Sequence, residues 1–478
     1  MEEELSVEKI KSRTIKGIAT LTGRTFILQA IAFGATFLLT IFLEPAQFGT
    51  FFLVSAVINF FTYFADIGLA AALIQKKEAL TQEELRTTFT VQQLLILSLV
   101  ALILVLIPLI RSWYNFDDAT VLLLMALTLS LFLSSLKTIP SVLLERKLDF
   151  KRLVIPQIVE TVLFYAVAVF LAWRGFGITS FTIAVLVRGI SGLVMMYLLS
   201  PWMPAIDFSR EHLKRLLKYG LPYQANTFLA VFKDDGMTAI LGSIIGPAGI
   251  GLLGWAQKWA TAPLRFFMDQ VIKVTFPAYS RLQNNSEELS KSVNHSIFMI
   301  CLFVFPSLLG LLVLAPALTE IIPKYSKWQP ALLALSLISV NTIFAAFTTP
   351  LTNLLNAIGK IKLTFRLMIM WTTLTWIFVP ILALNFGING AALGYALVGA
   401  SSVVAIFVAI RYVKFNLMFA VGKPLIAAVV MAAIIYQVQT LLPLNFVSIL
   451  FLISVGILVY SATIILLVGV KTFKKLRP

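Results

Sequence analysis

Charged residues interrupt several long apolar stretches of the sequence, and three of them share one helical face. Lys258, Arg265 and Asp269 fall within about 40° of one another if each residue advances the helix by about 100°. Ionisable groups at membrane depth normally face a cavity or each other. This stripe therefore predicts that its residues line a substrate cavity. The alternative is an ion pair between Arg265 and Asp269 that only ties helices together.

A second polar stripe lies earlier in the chain. Asn59 and Asp66 share a helical face with Ser55 and Thr62. At a constant offset of 203 positions, Ser55, Thr62 and Asp66 align with the three residues of the basic stripe. Corresponding segments of a repeated sequence therefore carry corresponding polar faces. We expect Asn59 and Asp66 to line a substrate cavity.

Four more charged residues complete the candidate set. Arg24 and Arg188 are expected to face the cavity, since an ionisable group at membrane depth costs about 2.5–3.5 kcal/mol unless it meets water or a partner. Asp234 and Asp235 are candidates for carrying a coupling proton or sodium ion. The neighbouring Lys233 argues against a catalytic pair of carboxylates at that position.

Other polar residues receive a structural interpretation. Lys137 and Lys273 lie near the predicted cytoplasmic ends of their segments, where a lysine ammonium can snorkel to the interface. Glu160 is an acid at span depth to which no separate role is assigned. The sequence contains neither GxxxxGK[ST] nor HExxH, and His212 and His295 lack metal-ligand spacing. It therefore predicts no enzyme, no metal site and no cofactor, apart from proton or sodium coupling.

The composition identifies the elements that hold these residues. Hydrophobic residues make up 59% of the 478, charged residues 13%, and the mean hydropathy is +0.93. Apolar runs of about 20 residues predict transmembrane helices, because lipid leaves backbone polar groups no other partner. The sequence predicts an all-α integral membrane protein of about 14 transmembrane helices, with approximate limits 17–43, 47–73, 87–110, 119–143, 153–173, 178–200, 219–245, 249–279, 294–322, 329–357, 363–385, 389–412, 424–442 and 446–470.

Basic residues set the orientation of these spans. With the N-terminus inside, 27 of the 38 Lys and Arg residues fall in cytoplasmic segments and 4 in outer loops. Both termini are therefore expected to be cytoplasmic. The same asymmetry accounts for most of the net charge of +16, so that a nucleic-acid partner is unnecessary.

The spans group into two halves of similar design. We predict an N-terminal six-helix lobe at 1–202, a second six-helix lobe at 203–415, and two additional helices with a basic cytoplasmic tail at 416–478. Six spans per half give both halves the same orientation, which is a parallel repeat. The alternative is that apolar sequences resemble one another through composition alone.

Three stretches resemble a known family. Residues 44–50 read Glu-Pro-Ala-Gln-Phe-Gly-Thr, residues 64–69 read Phe-Ala-Asp-Ile-Gly-Leu, and residues 143–152 read Leu-Leu-Glu-Arg-Lys-Leu-Asp-Phe-Lys-Arg. They resemble the polysaccharide-transport family of flippases, of the O-antigen and teichuronic-acid type, within the multidrug/oligosaccharidyl-lipid/polysaccharide exporter superfamily.

The resemblance implies two six-helix lobes that alternate between inward-open and outward-open states. It implies that an oligosaccharide on undecaprenyl pyrophosphate is moved to the outer leaflet of a bacterial cytoplasmic membrane, for cell-surface polysaccharide assembly. The implied partners are this lipid-linked substrate, membrane lipids and a polysaccharide polymerase or export machinery. Trp255 and Trp259 could stack on sugars, or they could form part of an interfacial aromatic belt.

The sequence departs from this pattern in one respect and leaves two other functions open. Sodium sites of related flippases use acids of later helices, yet 363–385 and 389–412 contain neither Asp nor Glu. The sequence is therefore as consistent with proton coupling, or with no ion coupling, as it is with sodium coupling. A cation-coupled multidrug antiporter of the same fold is disfavoured by the many cavity cations. A membrane glycan polymerase or glycosyltransferase would need a long outer loop with catalytic acids.

Overall fold

The computed structural model describes residues 7–65, 68–76, 78–218 and 231–469, and the regular structure in these ranges is entirely helical. This confirms the predicted all-α class. The chain divides into two compact units, Met1–Ile250 and Gly251–Pro478. The limits of the lobes and of the two extra helices, 1–202, 203–415 and 416–478, stay a prediction.

The first unit is built from helices that pack as neighbours. They are α1 (Val7–Phe42), α2 (Pro45–Ala65), α3 (Leu69–Gln75), α4 (Gln82–Tyr114), α5 (Asp118–Ser135), α6 (Thr138–Arg146), α7 (Phe150–Trp173), α8 (Thr179–Leu199), α9 (210–218) and a π-helical turn (Phe232–Gly236). Helix α7 packs against α1 and α8, while α8 also packs against α5. The π-helical turn packs against α2.

The remaining helices form the second unit, apart from the start of α10. They are α10 (Met237–Leu282), α11 (Ser286–Ile321), a 3-10 turn (Ser326–Ala331), α12 (Leu332–Ala357), α13 (Ile361–Ser401), α14 (Val403–Ile410), a π-helical turn (Met418–Gly422), α15 (Lys423–Gln439) and α16 (Phe446–Val468). Helix α12 packs against α11 and α13, and α15 packs against α11 and α16.

Twelve helical stretches of the described residues are long and apolar enough to cross a membrane. Two of them are interrupted by a residue with non-helical φ and ψ, so that each could supply two crossings of a bilayer core that needs about 20 residues. These stretches, 232–268 and 361–410, overlap two predicted spans each. Each contains a glycine with positive φ, Gly246 at 67° and Gly387 at 59°. A total of fourteen crossings stays a prediction.

The chain of α13 turns back on itself at Gly387. A Cβ built on Gly394 would lie 2.8 Å from the Cα of Val379, and one on Gly390 would overlap the carbonyl oxygen of Leu382. Residues as far apart in sequence as Val379 and Gly394 would be about 20 Å apart along a straight helix. The two arms of α13 therefore pack against each other, and glycine is required where they meet most closely.

A loop after α8 is fastened to the beginning of α4. The backbone N–H of Asp207 donates to Thr90 Oγ1 at 3.0 Å, and that of Ser209 donates to Thr87 Oγ1 at 3.1 Å. The indole of Trp202 packs edge-on against Phe89, with ring centroids 5.2 Å apart. These contacts fix the start of the segment that follows α8.

The second unit has a comparable fastening. The N–H of Asn416 donates to Asn294 Oδ1 at 2.7 Å, and the hydroxyl of Ser290 donates to the carbonyl of Lys414. Here too a loop after the last helix of the group is bonded near the start of a long helix, in this case α11. The two units therefore close their helical groups in the same way.

Arg146, in the stretch 143–152 that carries the family resemblance, forms a clamp between loops. Its guanidinium donates to the carbonyl oxygens of Leu73 and Glu78 at 2.8 Å each, and to that of Lys76 at 2.6 Å. These carbonyls lie at and just beyond the end of α3, where a helix leaves its acceptors unsatisfied. Arg146 therefore joins the end of α6 to the loop that follows α3.

The orientation is testable by labelling single cysteines in a Cys301→Ser background, since Cys301 itself is 0% exposed. Cysteines in place of Asp118 and Asn385 should react with a membrane-impermeant thiol reagent in intact cells, because both lie at predicted outer ends. Cysteines in place of Lys151 and Lys362 should react only after lysis. Labelling of the second pair in sealed cells would overturn the predicted topology.

Candidate functional site

The helical path is interrupted in the first unit between α5 and α6. Helix α5 ends at Ser135 and α6 begins at Thr138. Pro140 has no N–H to donate to the carbonyl of Leu136, and Tyr197 Oη of α8 donates to that carbonyl instead, at 3.0 Å. Ser200 Oγ, just beyond α8, donates to the carbonyl of Pro140 at 3.2 Å. Leu136 and Lys137 keep right-handed helical φ and ψ, so the interruption is a local break in the helical hydrogen bonds, and a side chain of α8 satisfies the carbonyl that it leaves open.

Two glutamines of α4 supply more polar contacts to the interruption. Gln92 Nε2 donates to Thr138 Oγ1 at 2.9 Å, and Gln93 Nε2 donates to Ser135 Oγ at 3.1 Å. Both hydroxyls flank the break. The side chains of α4 therefore meet the interruption with polar groups.

Lys137, within the interruption, pairs with Glu160 on α7. Its ammonium contacts Glu160 Oε1, and each of the two side chains is 13% exposed. The prediction that the Lys137 side chain snorkels to the interface is therefore wrong. The helix break lets Lys137 point to a carboxylate inside the unit rather than to the interface.

Arg188 on α8 completes this charged cluster. Its Nε lies 3.9 Å from Glu160 Oε2, and its side chain is 53% exposed. The guanidinium also lies over the ring of Phe164, 5.8 Å from its centroid. Arg188 is near the centre of α8, so that an exposed guanidinium there requires water or an anion rather than lipid.

Arg24 lies on α1, which also packs against α7. It is partly buried, and its Nε has no hydrogen-bond partner within the described part of the chain. The structure brings Arg188 together with Lys137 and Glu160. Among the described residues no hydrogen bond or ion pair joins Arg24 to this cluster, so its cavity role stays a prediction.

The candidate coupling acids lie on the π-helical turn. Asp234 is exposed and pairs with the adjacent Lys233, Nζ to Oδ1, at 2.7 Å. Asp235 instead has a hydrogen bond with the side chain of Asn59 on α2. The structure thus brings together Asn59 and Asp235. π-Helical turns often occur at functional sites. Asp66 lies outside the described residues.

The basic stripe lies on α10 in the second unit. Lys258 is partly buried and Arg265 is exposed, and each feels the other's charge. Two cations separated by about two helical turns on one face favour an anion between or beside them. The side chain of Asp269 lies outside the described part of the structure, so that its pairing with Arg265 stays a prediction.

The structure corrects both interpretations of Trp255. This side chain is 4% exposed, its ring stacks on Trp328 at 5.5 Å, and its Nε1 donates to Tyr325 Oη at 3.1 Å. It therefore faces neither a sugar nor the membrane interface. Trp259 contacts the edge of Trp255 at 6.4 Å and stays partly exposed. Aromatic rings from two segments, α10 and residues 325–328, bury one another here.

Sequence reasoning assigned no role to Glu160 and did not find the glutamines of α4. One local signal was available: Pro140 is tolerated in the first turn of a helix, where its missing N–H is not needed. Its place within an apolar run therefore predicts a helix start just upstream. No group of three or more His, Cys, Asp or Glu that could hold a metal occurs within the residues described.

Comparisons with known proteins agree with this architecture. A family model described as "Polysaccharide biosynthesis protein" matches residues 38–333. The chain is 23% identical over 421 residues to the lipopolysaccharide biosynthesis protein WzxC of Escherichia coli, covering 84% of this chain and 82% of WzxC. It is 23% identical over 438 residues to the succinoglycan biosynthesis transport protein ExoT of Rhizobium meliloti, covering 88% and 86%.

The fold is also that of a solved transporter. The lipid II flippase MurJ, in its inward closed conformation, superposes with a TM-score of 0.76 and 18% sequence identity. The match covers 94% of this chain and 98% of MurJ. At this identity the likeness establishes the fold.

The Lys137–Glu160 pair makes a stability prediction. Lys137→Met should lower stability by about 3–5 kcal/mol, since it leaves a buried carboxylate without its close partner. Adding Glu160→Gln should restore most of the loss. Thermal denaturation of purified protein in detergent measures both changes, with the exposed Lys151→Met as control. Equal stability of Lys137→Met and wild type would show that the pair does not support the fold.

Proposed function

Because the chain belongs to the polysaccharide biosynthesis protein family, we propose that it is a flippase for an oligosaccharide linked to undecaprenyl pyrophosphate. It moves this lipid from the cytoplasmic to the outer leaflet of a bacterial cytoplasmic membrane by alternating access, for assembly of a cell-surface polysaccharide. The names of WzxC and ExoT, which describe polysaccharide biosynthesis and its transport, support this proposal.

The observation that carries the proposal is the exposed guanidinium of Arg188 near the centre of α8. With Lys137 and Glu160 it forms a cluster that retains one net positive charge. Such a charge at mid-depth is costly unless a hydrated path or an anion meets it. A pyrophosphate is an anion of suitable geometry, because the arginine fork donates hydrogen bonds to two of its oxygens at once.

Phosphate recognition is assigned to basic residues of both units. Arg24 and Arg188 serve in the first unit, and Lys258 and Arg265 in the second. The polar groups of Asn59, Asp66 and Asp269 contribute hydrogen bonds or balance charge. Transport of a lipid-linked oligosaccharide needs recognition of its pyrophosphate and only loose contact with the glycan.

Ion coupling is proposed at Asp234 and Asp235. The hydrogen bond between Asp235 and Asn59 supports Asp235 over Asp234, whose carboxylate is already paired with Lys233. Either a proton or a sodium ion suits a carboxylate that has an amide partner. Transport by reconstituted protein that ignores both gradients would remove this role.

We also propose that both termini are cytoplasmic and that a polysaccharide polymerase or export machinery receives the flipped lipid. A cation-coupled multidrug antiporter is the alternative within the same fold. The net positive cluster around Arg188 disfavours it, because a cationic drug would be repelled there. A glycan polymerase or glycosyltransferase would require catalytic acids on an outer loop.

Arg265 tests the proposal in cells. Arg265→Glu should abolish surface glycan while the lipid-linked intermediate accumulates in the inner leaflet, because the phosphate would meet an anion. Arg265→Lys should retain part of the export, since a point charge keeps attraction but loses the fork. Surface-glycan staining and lipid extraction measure both, with membrane protein levels determined in parallel.

Arg281→Glu, in the last turn of the same helix, is the matched control and should export normally. A structural Arg265–Asp269 pair gives another pattern: single variants would lose folded protein, and Arg265→Asp with Asp269→Arg would recover export. Full export by a stably inserted Arg265→Glu protein would refute the assignment of phosphate binding to this residue.

A further inference from the structure

The two oxygens of the Glu160 carboxylate face different cations. Oε1 accepts from the ammonium of Lys137, and both of these side chains are 13% exposed. Oε2 lies 3.9 Å from Nε of Arg188, which is too long for a hydrogen bond. Glu160 is therefore held firmly by Lys137 and attracted only loosely to Arg188.

Gly192 gives the carboxylate the room for this arrangement. A Cβ built at position 192 would overlap Oε1 of Glu160. Gly192 follows Arg188 by about one helical turn, so that α8 presents a cation and a gap on the same side. The contact between α7 and α8 is thus shaped around the Glu160 carboxylate, and the guanidinium remains at its open edge.

Lys137 and Arg188 differ in exposure, and this difference decides which of their contacts with Glu160 can change. The Lys137–Glu160 pair is largely shielded, whereas the side chain of Arg188 is 53% exposed. An exposed ion pair at 3.9 Å contributes little energy. A phosphate that gives the guanidinium two short hydrogen bonds would replace this contact without disturbing Lys137.

We propose that Glu160 is an internal competitor for the substrate's phosphate at Arg188. Phosphate displaces the carboxylate from the guanidinium on binding, and Glu160 recaptures the guanidinium as the phosphate leaves. Lys137 keeps Glu160 in place throughout. Glu160 is a positioning residue that weakens binding enough for release. The inference rests on the proposed function, which supplies the phosphate.

Glu160→Gln tests the competition because it removes the charge and keeps the size. Purified Glu160→Gln protein should bind inorganic pyrophosphate about fivefold more tightly than wild type, the size expected for loss of one exposed ion pair. Transport of lipid-linked oligosaccharide in proteoliposomes should become slower, because release is hindered. Isothermal titration calorimetry and a leaflet-accessibility assay measure the two effects. A purely structural role would lower stability without tightening binding.

Two further variants separate charge from packing. Gly192→Ala displaces the carboxylate without changing any charge, and should also tighten pyrophosphate binding. In the double variant Glu160→Gln with Arg188→Gln the gain should disappear, since Arg188 is the group for which the two anions compete.

Unchanged or weaker pyrophosphate binding by folded Glu160→Gln and Gly192→Ala proteins would overturn the inference. So would a gain that persists without Arg188. If Glu160→Gln and Lys137→Met with Glu160→Gln both fail to fold, Glu160 is structural and the competition is rejected. If wild-type protein flips the lipid and Glu160→Gln protein binds pyrophosphate as wild type does, the inference is refuted but the proposed function is not. Wild-type protein that neither binds pyrophosphate nor flips the lipid refutes the proposed function itself.

Discussion

The Glu160 carboxylate lies near the middle of α7, where lipid would make an isolated anion costly. Its close partner, Lys137, reaches it because the helical path is interrupted between α5 and α6. The interruption in turn depends on Tyr197 and on Gln92 and Gln93, which occupy its polar groups. The buried ion pair, the interruption and the polar side chains around it therefore form one connected feature of the first unit.

The same cost of burying charge sorts the basic residues into two kinds. Lys137 is shielded and paired, so that its charge supports the fold. Arg188 and Arg265 are exposed although they lie within apolar helices, which indicates contact with water or with a charged ligand. This division accounts for the difference between groups that hold the helices and groups that are available to a substrate.

Long apolar runs were sufficient to predict the helical class, because hydropathy reports directly on the lipid environment. They could not predict which side chains meet. The Lys137–Glu160 pair depends on a helix break, and the burial of Trp255 depends on Trp328 and Tyr325 from a distant segment. Arg188 was predicted as a cavity residue because a charge in the middle of a span by itself indicates a hydrated position. Its contact with Glu160 could not be predicted, because it depends on how α7 packs on α8.

The central claim is that the protein itself moves a pyrophosphate-linked glycan across the bilayer. The most direct test reconstitutes purified protein into liposomes with undecaprenyl-pyrophosphate-linked oligosaccharide and measures how much becomes accessible to an added, membrane-impermeant glycosidase. The account predicts that wild-type protein makes the inner-leaflet share accessible, whereas folded Arg188→Gln protein leaves it as protected as in protein-free liposomes. Folded wild-type protein that leaves the inner-leaflet share protected under every imposed ion gradient would contradict the account.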